Sequence, residues 1–121
     1  MHHVNLSVPE DQAETEAGWL VEMLGYRAVE GGPEITALVE KLGRRLWWFE
    51  ADDGSQVHLS PNAEHAVVPS AHTAIRLDDD LDACLSRLEG RGFECRTTAF
   101  DGERHVFVTD PAGNLWELVG P

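Results

Sequence analysis

Four residues of metal-binding type recur at matching places in two halves of a 121-residue chain: His3 with His72, and His58 with Glu117. His3 opens the run His-Val-Asn-Leu-Ser-Val and His72 opens His-Thr-Ala-Ile-Arg-Leu, each alternating with the period of a half-buried strand. His58 stands four residues after Gly54, and Glu117 four after Gly113, and a leucine follows each. Three imidazoles and one carboxylate suit Zn, Fe, Co, Ni or Mn. They bind deprotonated and leave one or two positions for water or substrate. An ion held this way polarises a carbonyl or lowers the pKa of a bound water. His2 and His65 match no repeat position, and His105 falls on a strand outside the ligand positions, so all three are expected to be ordinary surface residues.

The elements that must carry these residues follow from the pattern. Residues 3–8 read as a strand, with Val4, Leu6 and Val8 on one face and His3, Asn5 and Ser7 on the other. Asp11 and Glu14 form a D-x-x-E variant of the capping box for a helix whose apolar face is Ala17, Leu20, Val21 and Leu24, closed by Gly25. A strand near 26–30 ends at Gly31-Gly32. Pro33 then opens a short helix with Ile35, Leu38, Val39 and Leu42 at helical spacing. Strands at 45–51 and 55–60 flank a turn at Asp52-Asp53-Gly54. Residues 62–71, with Pro69 and Ser70 and no sustained period, form a linker. The second half repeats the order. It has a strand at 72–77, a helix capped by Asp78-Asp79-Asp80 with Leu81, Cys84, Leu85 and Leu88 inward, and strands at about 94–100, 104–109 and 114–119.

The chain therefore reads as two copies of a strand-helix-strand-strand-strand unit, the first decorated by an extra helix at 33–42. Phe49-x-x-Asp52 is taken to echo Phe107-x-x-Asp110 across the repeat. Strand parity puts His3, His58 and His72 on the more polar faces, with Glu117 beside Leu115 and Val119. A polar concave face with an apolar patch is what a small-molecule site needs.

Composition narrows the partners. Nine Lys+Arg against 22 Asp+Glu give a net charge of −13, which argues against nucleic acid and anionic membrane surfaces. No apolar run of about 18 residues is present to span a bilayer, and the N-terminus lacks a signal-type segment. Two cysteines without a CxxC spacing fit a reduced, cytoplasmic protein.

His3-Val-Asn-Leu-Ser-Val-Pro, Leu24-Gly25-Tyr26, His72-Thr-Ala-Ile-Arg-Leu-Asp and above all Asp110-Pro-Ala-Gly-Asn-Leu-Trp-Glu-Leu118 resemble the vicinal oxygen chelate superfamily. That is the glyoxalase, bleomycin-resistance and extradiol dioxygenase group. The resemblance covers nearly the whole chain. It implies an α+β fold of two βαβββ modules forming a curled mixed sheet around one divalent metal. Module one would span about 1–61 and module two about 72–121 of a single domain 1–121. It also implies a homodimer and a ligand set of His3, His58, His72 and Glu117. Glyoxalase I members typically carry a carboxylate where this chain has His58, which weakens that assignment. A third ligating histidine likewise crowds the open positions that an extradiol dioxygenase needs.

The leading expectation is a divalent-metal-dependent enzyme on a small oxygen-chelating substrate, of isomerase, lyase or dioxygenase class. Glu117 or His58 would move the proton. Arg76, two residues beyond His72, is placed to hold a substrate carboxylate, and Asn5 shares the face of His3. Trp47 and Trp48 are adjacent on one strand, so one of them must face the ligand residues, and Trp47 is the candidate for stacking on substrate. The alternative is a metal-free, bleomycin-resistance-like protein that sequesters a cationic or aromatic small molecule, which the acidic charge would attract.

Overall fold

Alternating polar and apolar residues do form strands where expected. The computed structural model describes residues 2–30, 33–43 and 46–121. The elements run β1 (His3–Val8), α1 (Ala13–Glu22), β2 (Arg27–Val29), α2 (Pro33–Leu42), β3 (Trp47–Glu50), β4 (Gln56–Pro61), β5 (His72–Arg76), α3 (Leu81–Gly90), β6 (Arg96–Phe100), β7 (Glu103–Thr109) and β8 (Leu115–Gly120). The Gly31-Gly32 break, the strand start expected at Arg45 and the inward face of Leu42 lie outside the described residues and side chains. By its contacts the chain divides into two units, Met1–His65 and Ala66–Pro121.

Each unit is a βαβββ module with the same wiring. In the first, a four-stranded sheet has the order β1-β4-β3-β2; in the second the order is β5-β8-β7-β6. The first strand of each module pairs parallel with its last, and the remaining pairs are antiparallel. One sheet face in each module takes the helix. Val8, Leu20, Phe49 and Val57 are buried in the first module, and Leu81, Cys84, Leu88, Val106, Trp116 and Leu118 in the second. Full burial of such an aliphatic side chain contributes about 1.5–3 kcal/mol. The opposite faces carry the polar residues.

Three local expectations are corrected. The Asp11–Glu14 capping box does not form. A tight turn, with Gln12 N–H donating to the Pro9 carbonyl at 3.0 Å, delays the start of α1 to Ala13, and no side chain caps it. The buried stripe of α1 is also rotated: Trp19, Leu20, Met23 and Leu24 are buried while Val21 is 41% exposed. The larger Trp19 and Met23 offer more apolar surface to the sheet than Ala17 and Val21 do. Asp80 stands at the N-cap of α3, yet it too makes no side-chain cap bond. Gly25 does close α1. Its φ of 81° lets the Tyr26 N–H reach the Leu20 carbonyl, a left-handed stop that suits glycine.

The repeat itself is offset by one residue from the Phe49–Phe107 echo. Ala51 N–H donates to the Ser55 carbonyl as Asp110 N–H does to Asn114, so Ala51, not Asp52, is the counterpart of Asp110. Trp48 faces His58 in register as Phe107 faces Glu117. Phe49 falls instead on the buried side with Val57. Among the described residues, no helix is long and apolar enough to cross a membrane.

Candidate functional site

In module one the ligand-type residues share the polar face. Register pairs His3 with Gln56 and Asn5 with His58 across β1 and β4. The His3 and His58 rings stack at 4.6 Å and 16°. From the other side, on β3, Trp48 stacks on His58 at 4.2 Å and 9°. His58 is thus held between two rings. Its Nε2 lies 2.9 Å from Gln56 Oε1, and Gln56 Nε2 donates to Glu50 at 3.2 Å. Because Glu50 can only accept when ionised, the amide nitrogen of Gln56 must face it, which turns the amide oxygen to His58. His58 therefore carries its proton on Nε2 and presents a lone pair at Nδ1. Arg27 completes the chain by pairing with Glu50 and Asp52. Burial, and then the neighbouring His3 and His2, hold the His58 pKa below the ordinary imidazole value.

The other polar groups of this face are bonded to one another. Asn5 accepts from Ser60 Oγ at 2.9 Å. His2 and His3 approach through their Nδ1 atoms at 2.8 Å. His65 is half-buried rather than a plain surface residue, with its Nδ1 2.7 Å from Ser7 Oγ. Trp47 lies on the opposite side from His58, in register with Leu59. There it helps line a cavity of about 780 Å³ with Ala17 and Val21 of α1 and Ile35 and Val39 of α2. The structure thus places Trp48, not Trp47, beside the ligand-type residues.

Module two repeats the register. His72 lies two residues ahead of Ala74, which pairs with Glu117, as His3 lies two ahead of Asn5, which pairs with His58. His72 Nδ1 donates to the Ser70 carbonyl at 2.8 Å, leaving Nε2 to face Glu117 Oε2 at 3.1 Å. Ser70 itself sits at φ 72°, a left-handed conformation rare outside glycine, in the turn that supplies this carbonyl. Phe107 meets the His72 ring edge-on at 5.4 Å.

The residue missed by sequence reasoning is His105. Its Nδ1 lies 2.8 Å from Glu117 Oε1, so each oxygen of the carboxylate has its own imidazole. A signal for it existed. Counting outward from the Asp110–Asn114 turn pairs Thr109 with Leu115 and Phe107 with Glu117, which puts His105 on the same face, one pleat further. Arg76 is placed differently from a free substrate anchor. Its guanidinium is bonded to Glu103 and, at 3.3 Å, to Asp78, which raise its pKa, and the guanidinium in turn lowers that of Glu103.

The donor chemistry in module two fits a divalent metal. A ligating histidine characteristically gives its second ring N–H to a backbone carbonyl, which fixes the tautomer and frees the other nitrogen. His72 does this through Ser70, and its Nε2 is turned to the Glu117 carboxylate at 3.1 Å. Among the described residues, no group of three or more His, Cys, Asp or Glu side chains is gathered about one point.

The sequence model of the glyoxalase/bleomycin resistance protein/dioxygenase superfamily matches residues 1–118. The chain belongs to that superfamily. Solved structures agree on the fold. A glyoxalase family protein from Bacillus anthracis is 21% identical with a TM-score of 0.81, covering 99% of this chain and 93% of that one. A lactoylglutathione lyase from Agrobacterium tumefaciens is 20% identical, TM-score 0.69, covering 99% and 92%. The fosfomycin resistance protein FosX from Listeria monocytogenes is 14% identical, TM-score 0.73, covering 100% and 92%. No curated protein matches the chain. Members of the superfamily bind small-molecule substrates, typically use a divalent metal and often act as dimers.

Proposed function

We propose that this superfamily member is a divalent-metal-dependent enzyme acting on a small substrate that chelates the metal through neighbouring oxygens. The observation that carries the reading is the His72–Glu117 pair, with Nδ1 of His72 tied to the Ser70 carbonyl and Nε2 turned to Glu117 Oε2 at 3.1 Å, a contact that a bound metal would replace. Each module offers its own candidate ligand pair, His3 with His58 in module one and His72 with Glu117 in module two. The Nε2 proton of His58 is committed to Gln56, so His58 would bind through Nδ1. When bound, the metal supplies a Lewis acid that stabilises negative charge developing on a substrate oxygen.

The chain's own residues do the rest. The Trp48 ring and the polar side chains around it orient the substrate, with Asn5 offering an amide beside His58. Glu117 serves as proton acceptor as well as ligand. Arg76, already neutralised by Glu103 and Asp78, adds little attraction for an anionic substrate. A lactoylglutathione lyase, a fosfomycin resistance protein and oxidases share the fold, which supports an enzyme of the isomerase, lyase or dioxygenase class. A homodimer in the cytoplasm is part of the same proposal.

A second reading has its own observation. The cavity of about 780 Å³ beside Trp47 is of the size that small-molecule sites show, and it fits a metal-free protein that sequesters an aromatic or cationic compound. The two readings separate on metal content, measured by mass spectrometry on protein purified without chelator, with His72→Ala as control. Near-stoichiometric metal that the substitution removes supports the enzyme reading. Protein without metal that takes up none of Zn, Mn, Fe or Ni overturns it.

A further inference from the structure

We propose that His105 is the positioning residue for Glu117, fixing the carboxylate so that one lone pair of Oε1 accepts the Nδ1–H of His105 while Oε2 stays turned to His72. The proposal rests on the metal reading above for its function, and on geometry within module two for its substance. Glu117 is centred on its sheet face. Its neighbours in register are Ala74 on β5 and Phe107 on β7, neither of which has a side-chain donor. The two histidines reach it diagonally from opposite ends, His72 at 3.1 Å and His105 at 2.8 Å. An ionised carboxylate is acceptor-only, so His105 must donate from Nδ1 and carry its lone pair at Nε2.

His105 is itself restrained. Its residue neighbours in register are Val119 and Thr98, and the Phe100 ring meets it edge-on at 5.9 Å. Its side chain is 23% exposed, against 16% for Glu117. A carboxylate with one oxygen bonded rotates less and offers the other as a single-oxygen donor. Outer partners of this kind commonly set metal affinity by about 10- to 100-fold. The charged groups on this face of module two include Arg76 and Glu103, which are bonded to each other, and Arg96, opposite Phe107 on β6.

Two measurements test this. In chelator-treated protein at pH 8, long-range ¹H–¹⁵N correlation of the imidazoles should show neutral His105 as the Nδ1–H tautomer, although free imidazole side chains favour Nε2–H. Titration calorimetry with Zn²⁺ or Mn²⁺ alone should show His105→Phe, which keeps a ring and loses the donor, binding about 10- to 100-fold more weakly. His105→Asn, whose amide nitrogen overlays Nδ1, should restore binding to within about threefold of wild type, on the same scale. An Nε2–H tautomer at His105, or wild-type affinity in His105→Phe, overturns the proposal. Failure of the wild-type protein to bind either metal would remove the metal reading, while the tautomer would still decide whether His105 positions Glu117.

Discussion

Asp110 gives the sharpest stability prediction. Its carboxylate is 4% exposed and ties the turn between β7 and β8 in three places. Oδ1 accepts the Ala112 and Asn114 N–H groups at 3.0 and 2.9 Å, and Oδ2 accepts the Trp116 indole N–H at 2.9 Å. Hydrogen bonds to a charged acceptor are each worth about 1.5–3 kcal/mol net, and a buried donor left unpaired costs about 1–3 kcal/mol. The turn amides in Asp110→Ala can recover part of their loss from water, but the Trp116 indole is fully buried and cannot. The expected cost is therefore about 3–4 kcal/mol, or roughly 10–20 °C in Tm for a chain of this size. Asp110→Asn, which keeps an oxygen for the amides but turns an NH₂ toward the indole, should cost about half as much. Urea unfolding followed by circular dichroism checks both, with the exposed Asp79→Ala as a control expected within about 0.5 kcal/mol of wild type. A loss below about 1 kcal/mol in Asp110→Ala would refute the view that this carboxylate sets the hairpin.

Other consequences are as readily checked. Gly120→Ala would bring a Cβ within 2.8 Å of the Leu77 carbonyl oxygen and 2.9 Å of Leu81 Cδ2, and should destabilise by about 1–3 kcal/mol in the same unfolding assay. Burial pushes the Cys84 thiol up to about 11, so a thiol reagent at pH 8 should label Cys95 in the native protein and reach Cys84 only on unfolding. The lowered His58 pKa means that the unfolded chain binds the proton first as pH falls through about 6.5. Stability is then complete above that value and lost as pH drops from it toward the folded pKa. The Tm of chelator-treated protein should fall less between pH 7 and 5.5 in His58→Gln than in wild type.

Most of the fold was legible because its signals are local. Period-two alternation marks β1 and β5, and glycines at the turns mark the hairpins. The pairing of His3 with His58 and of His72 with Glu117 followed from the repeat, since like sequences occupy like registers. What escaped depends on a single residue of alignment or on a diagonal contact. Phe49 and Phe107 look equivalent in sequence, yet the hydrogen bonds of the two turns align Trp48 with Phe107, and with that offset Trp47 leaves the site. His105 joins Glu117 across strands, where the spacing of types along one strand carries no information. Arg76 resembled an anion anchor because its own strand does not disclose Glu103, 27 residues on.

The wiring of each sheet also sets when the candidate site comes into being. His72 and Glu117 are 45 residues apart in the chain, and Asn5 and Ser60, beside His3 and His58, are 55 apart. In both modules the strands that bear the pairs are the first and the last, zipped parallel to one another. Such distant pairings carry the largest loop-closure cost and form late. Neither pair can therefore precede the completion of its module. On a translating ribosome, His3 would wait for β4 and His72 for β8, so nascent chains would expose isolated histidines and could not capture metal prematurely with half-built sheets.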